Sequence, residues 1–123
     1  MRYLAGLFSF FLLFAVLSCH KRNLFFESND SVISDHVSPD GRLAVTVIER
    51  DCGTTADFST ILVLRKADSS PNADRDRMFV ASGRHAVDVM WNQSTSVVIN
   101  CSATTSDVFR AETVMGPVSI RYR

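Results

Sequence analysis

The sequence predicts an all-β fold, a small antiparallel sandwich, barrel or curled meander of roughly six to eight short strands, behind an N-terminal signal helix. Three observations point there. After the first apolar run, no stretch carries the helical period of about 3.6 residues, and several alternate apolar and polar instead. Turn chemistry punctuates those stretches at short intervals. One segment, Ser59–Lys66 (STILVLRK), is apolar on both faces, as a strand in the middle of a sheet must be.

The elements follow in order. Ser38-Pro39-Asp40-Gly41 is a turn with a mechanism: Pro presets φ, Asp bonds its own backbone, and Gly takes positive φ. It joins a short strand at Val32–Val37 to a stronger one at Arg42–Arg50, where Leu43, Val45 and Val47 share one face and Ala44, Thr46 and Ile48 the other. Ser59–Lys66 is the next strand, expected to lie centrally. Ala67–Arg77 (ADSSPNADRDR) reads as a polar surface loop, followed by a short strand at Arg77–Ala81. Ala86–Trp91 places Val87, Val89 and Trp91 on one face, which makes Trp91 a core residue rather than a ligand platform. Asn92-Gln93-Ser94-Thr95 turns the chain and Ser96–Cys101 returns. Val108–Val114 and Val118–Tyr122 form a last hairpin around Gly116-Pro117. There is no internal repeat.

The chain has 123 residues, which leaves room for one domain and a leader. Thirteen Lys and Arg balance thirteen Asp and Glu; the leader holds only Arg2, so the remainder carries 12 against 13. No basic bias points to nucleic acid. The apolar share of 46% is enough for a small core.

Met1-Arg2-Tyr3 is a short positive start, and the fourteen residues Leu4–Leu17 carry no charge. A secretory leader needs an apolar region of about 7–15 residues, whereas a spanning helix needs about 20. His20-Lys21-Arg22 ends the run too early for the second. The run closes on Val16-Leu17-Ser18-Cys19, which resembles the lipobox of bacterial lipoproteins: an aliphatic residue three before the cysteine and a small residue just before it. The resemblance implies that Cys19 is the lipidation site, taking a diacylglycerol, with cleavage before it and acylation of the new amine. Each buried methylene contributes about 0.8 kcal/mol, so two or more acyl chains anchor stably where one does not. The chain then divides into a signal peptide at 1–18, a lipidated tether at 19–30 and a β-domain at 31–123. The expected place is the extracytoplasmic side of a membrane. His20, in place of an inner-membrane-retaining Asp, favours the outer membrane facing the periplasm if the cell is Gram-negative. Leu24-Phe25-Phe26 is too apolar for a fully solvated linker and is expected to dock on the domain or the lipid surface.

Ser38-Pro39-Asp40-Gly41 before an apolar strand also looks like the opening of a β-propeller blade, a local likeness only. Arg50-Asp51-Cys52-Gly53-Thr54-Thr55, with Phe58-Ser59-Thr60 and Val87-Asp88-Val89-Met90-Trp91, resembles a group of small exported bacterial proteins of unknown function. That likeness implies export and β architecture and imports no activity.

Cys52 and Cys101 are the other two cysteines, each at a strand end, and an oxidising compartment invites a disulfide between them. Closing a loop of about 50 residues would stabilise by roughly 4 kcal/mol. The alternatives are a buried free thiol at Cys101 and a free Cys52 in a loop. The loop Asp51–Phe58 is a candidate binding surface through Asp51, Gly53, Thr54, Thr55 and Asp57, or a plain connector built of turn residues. A catalytic Cys52 would need a base such as His36 or His85. His20, His36 and His85 have no metal-ligand spacing, and no phosphate-binding or dinucleotide fingerprint is present, so neither metal nor cofactor is expected. The function expected is a non-enzymatic binding module tethered to the membrane through Cys19, with an envelope protein as partner. The alternatives are an inhibitor or immunity-type lipoprotein acting on an envelope hydrolase or toxin, and a thiol-dependent enzyme using Cys52.

Overall fold

The computed structural model describes residues 29–53 and 57–123. The leader, Cys19, His20 and the tether before Asn29, and Thr54 and Thr55, lie outside the described residues.

Alternation builds nine strands: β1 (Asn29–Val37), β2 (Leu43–Asp51), β3 (Phe58–Lys66), β4 (Arg77–Ser82), β5 (Val87–Gln93), β6 (Ser96–Cys101), β7 (Val108–Ala111), β8 (Val114–Met115) and β9 (Val118–Tyr122). They form a five-stranded sheet in the order β1-β2-β3-β4-β7 and a four-stranded sheet in the order β5-β6-β9-β8. The expected all-β class holds, and of the three architectures it is the two-sheet sandwich. Two features differ from expectation. The last segments do not form one long hairpin. β7 pairs with β4 in the large sheet, the Glu112 amide donates to the Met78 carbonyl, and the chain then crosses to the small sheet as β8. The small sheet is also mixed, because β6 and β9 run parallel. In addition, β1 begins at Asn29, three residues before the expected Val32, and Asn29 and Asp30 pair with Asp51 and Arg50.

The period of two divides each inner strand between two environments. On one face of the large sheet Val45, Val47, Leu62, Leu64, Phe79 and Ala81 meet Val97, Ile99, Val118 and Ile120 of the small sheet, and this is the main core. On the other face Ile48, Ile61, Val63 and Val80 form a second cluster, closed by Ala73 from the β3–β4 loop. That second cluster explains why β3 is apolar on both sides, and β3 is indeed the middle strand. Trp91 packs against the main core and donates its indole N–H to the His36 carbonyl at 2.9 Å, which joins the edges of the two sheets.

The β1–β2 turn forms as its residues predict. The Gly41 amide donates to the Ser38 carbonyl at 2.9 Å, Gly41 has φ of 76°, and Asp40 Oδ1 accepts the Arg42 amide at 3.1 Å. Ser38, buried at the strand end, donates its hydroxyl to Asp40 Oδ1 at 2.7 Å and accepts the Leu43 amide at 3.1 Å. The Ser38 hydroxyl and then the Arg42 amide hold the Asp40 carboxyl below its ordinary range. Ser38→Ala strands the Leu43 amide and is expected to lower stability by about 1–2 kcal/mol in urea unfolding.

Tyr122 closes the seam where the chain changes sheets. Its hydroxyl donates to the carbonyls of Glu112 at 2.7 Å and Met78 at 3.1 Å. Burial, with a smaller contribution from the Glu112 charge, pushes its pKa from 10.0 up to about 12. The unfolded phenol ionises first as pH rises, so the stability present below pH 10 is lost between pH 10 and pH 12. Tyr122→Phe is expected to flatten the stability profile across that window, measured as the urea midpoint at stepped pH.

Candidate functional site

The strand registers set two ends to the sandwich. Val37 pairs with Ala44 and Leu43 with Lys66 at one end, while Asn29 pairs with Asp51 and Asp51 with Phe58 at the other. The turns β1–β2, β5–β6 and β8–β9 gather at the first end, where the Asp40 amide donates to Ser94 Oγ at 3.2 Å across the two sheets. The loop Asp51–Phe58 lies at the second.

A groove of about 640 Å³ opens between the turns of the first end. One wall comes from the large sheet: Asp40 and Arg42 from the β1–β2 turn, Lys66 from the end of β3 and Asp68 from the loop after it. The opposite wall comes from the small sheet and is uncharged: Ser94, Thr95 and Pro117. Leu43, which packs against the main core, lies between them. The position of Lys66 follows from register, since it stands opposite Leu43 on the core-facing side of β3 but one step past the buried Leu64. The Asp40 carboxylate is committed to its own turn through Oδ1. By contrast, among the described residues the side chains of Lys66 and Asp68 have no hydrogen bond or ion pair, and Arg42 has only its attraction for Asp40. No sequence motif marks these residues. They lie in separate turns, and only folding brings those turns to one place.

The loop singled out from sequence is built differently. Asp51 closes β2, and its Oδ1 accepts the Gly53 amide at 3.0 Å. Asp57 Oδ1 accepts the Phe58 amide at 2.8 Å. Both carboxylates thus serve the backbone beside them, as in a turn-rich connector. The Arg84 guanidinium stacks 3.8 Å above the Phe58 ring at the foot of the loop.

The expected Cys52–Cys101 bridge is not formed, because the Cys101 thiol is free. The two cysteines follow strands of different sheets: Cys52 stands after β2 with its Sγ 3.6 Å from Ser59 Oγ, whereas Cys101 pairs with Val87 in the small sheet and packs on the core. A strand end in each sheet does not by itself bring Cα atoms within the roughly 7 Å a disulfide needs.

The two described histidines are separated. His36, on β1 at the groove end, bonds Ser34 Oγ at 2.9 Å. His85, at the opposite end, places Nε2 2.6 Å from the Ser82 carbonyl, so that nitrogen carries the hydrogen. Its Nδ1 then accepts from Ser102 Oγ at 3.4 Å, while Asp107 stands 3.9 Å from Nε2. A serine, a histidine and an aspartate come together here, yet the Asp-facing nitrogen is already filled by a backbone carbonyl, and the group acts as a clip on the β4–β5 connection. Gly83, at φ of 89°, lets that connection turn: its amide donates to Phe58, and a Cβ there would come within 3.2 Å of His85 Nε2. Among the described residues no three His, Cys, Asp or Glu side chains gather to hold a metal ion, and no helix is long and apolar enough to cross a membrane.

Fold and groove together define a two-sheet β-sandwich with a mixed-charge cleft at one end. A scan against protein-family models and searches of curated proteins and of solved structures found no match.

Proposed function

We propose that this protein is an exported lipoprotein, anchored through lipid on Cys19, whose β-sandwich is a non-enzymatic binding module on the extracytoplasmic side of a membrane. The observation that carries the reading is Val16-Leu17-Ser18-Cys19 placed directly behind the uncharged run Leu4–Leu17. Two acyl chains on Cys19 would hold the domain stably at the bilayer. The binding role draws on the groove, where residues of the large sheet leave cationic and anionic side chains uncommitted opposite the uncharged Ser94, Thr95 and Pro117. Loops and turns on a rigid sheet are the usual carriers of recognition.

Intact mass of the protein extracted from its native membranes tests the anchor. The expected species starts at Cys19 and carries added lipid, and Cys19→Ala leaves the protein unlipidated and uncleaved. A wild-type mass without lipid would overturn the anchored reading.

A further inference from the structure

We infer that the groove between the β1–β2, β5–β6 and β8–β9 turns is the ligand site of this module, and that its ligand is a short peptide bearing carboxylates and a free amine. The inference rests on the binding-module reading and gives it a ligand class.

The chemistry of the walls argues for that class. Arg42 and Lys66 present two cations on the large-sheet side, and among the described residues neither is held in an ion pair. Asp68 presents one carboxylate beside them, also uncommitted, whereas Asp40 is occupied by the Ser38 hydroxyl and the Arg42 amide. Asp40 keeps its negative charge, so the lining is balanced two against two, and the side chains still open to a ligand are those of Arg42, Lys66 and Asp68. A guanidinium and an ammonium recognise carboxylates, and a carboxylate recognises an amine. A ligand with two carboxylates and one amine gives each of these three open side chains a partner. Ser94 and Thr95 across the groove offer hydroxyls to the polar backbone of such a ligand, and Leu43 and Pro117 offer apolar surface to its side-chain stems. The volume of about 640 Å³ lies within the usual range for small-ligand sites and suits a few residues of chain.

The described chain begins at the other end of the sandwich, where Asn29 pairs with Asp51 and Asp51 with Phe58, so the groove lies at the end opposite the start of β1.

The test uses the full chain in detergent micelles, labelled for amide NMR and titrated with the N-acetylated, C-amidated tetrapeptide Ala-Glu-Lys-Glu, with Ala-Glu-Ala-Glu and Ala-Lys-Ala-Lys blocked in the same way as comparisons. Saturable shifts are expected at Arg42, Lys66, Asp68, Ser94 and Thr95, strongest for Ala-Glu-Lys-Glu. Arg42→Gln with Lys66→Gln is expected to weaken binding at least about tenfold, and Asp68→Asn to erase the preference for the lysine-containing peptide. All three side chains are exposed, so the variants keep the fold, which an unchanged core spectrum verifies. No shift at the groove up to about 10 mM peptide, or equal shifts with all three peptides, would overturn the inference. An unlipidated mass with groove binding intact would remove the anchor and leave the site standing, so the two failures are distinguishable.

Discussion

Asp30→Asn together with Asp74→Asn is expected to lower stability by about 3 kcal/mol, and Arg50→Met by distinctly less. Arg50 belongs to the outer face of β2, on the side away from the small sheet, and its side chain is only 1% exposed. Its Nε and Nη2 donate to the two Asp30 oxygens at 2.8 and 2.9 Å, and its Nη1 donates to Asp74 at 3.1 Å. Asp74 also receives Arg77 at 2.9 Å. A guanidinium cannot shed its proton to escape burial, and removing the carboxylates leaves a charge with nowhere to go. The hydrogen bonds to Asp30, then those to Asp74, overcome desolvation and raise the Arg50 pKa. A raised pKa on a cation means that its contribution is complete at any pH below the ordinary guanidinium range and fades only above it. The carboxylates are about one-third exposed, at 36% and 35%, which trims the expected loss to the lower part of the 3–5 kcal/mol typical of broken buried pairs. Arg50→Met removes the charge with its partners left near water, beside Ile48 and Ile61. Urea midpoints at constant slope decide the matter. If the methionine variant loses as much as the double asparagine, packing of the arginine stem matters more than its charge.

The consequence reaches the loop Ala67–Asp76, because arginines pin it across the outer face of the large sheet. Arg65 donates to the carbonyls of Lys66, Ala67 and Ser69, and also to Asp35 at 2.6 Å and to the buried Thr46 hydroxyl at 2.9 Å. Arg77 donates to the Ala73 carbonyl at 2.5 Å. The loop in turn seats Ala73 on Ile48, Ile61, Val63 and Val80. In the double asparagine variant, amide exchange is therefore expected to rise first at Asp74–Asp76.

Phe79→Ala is expected to cost about 3–5 kcal/mol, the upper range for a buried aromatic truncation. Phe79 is 3% exposed and sits in the main core. It pairs with Leu62 on one side and Ala111 on the other, and its ring lies 5.7 Å from that of Tyr122. Truncation opens a cavity beneath the point where β7 leaves the large sheet. Rigid ladders on both sides of Phe79 prevent collapse into that space. Phe79→Leu is expected to recover more than half of the loss. A cost below about 1 kcal/mol for the alanine would mean that the sheets do not pack on this ring.

Most strands were legible from side-chain alternation or, in β3, from apolar residues on both faces. Ser96–Cys101 matches β6 at both ends, and Leu43, Val45 and Val47 face inward as their spacing requires. The turn Ser38–Gly41 was readable because its hydrogen bonds are made within six residues of chain. The segment from Val108 to Val114 was not, since the exchange of one sheet for the other depends on the Met78 carbonyl, some thirty residues earlier in the chain.

What the sequence determined by itself is everything local: the all-β class, the central place of β3 and the turn at Ser38–Gly41. What only the tertiary structure decided is everything that depends on distant partners. It chose a sandwich over a barrel and ran β9 parallel to β6. It kept Cys101 free of Cys52, buried Arg50 between Asp30 and Asp74, and gathered Arg42, Lys66, Asp68, Ser94 and Thr95 around one groove. The reason is physical: side-chain alternation and turn preference act over a few residues, whereas charge burial, cysteine pairing and clefts require groups 20 to 75 residues apart to meet, and such encounters leave no period in the chain.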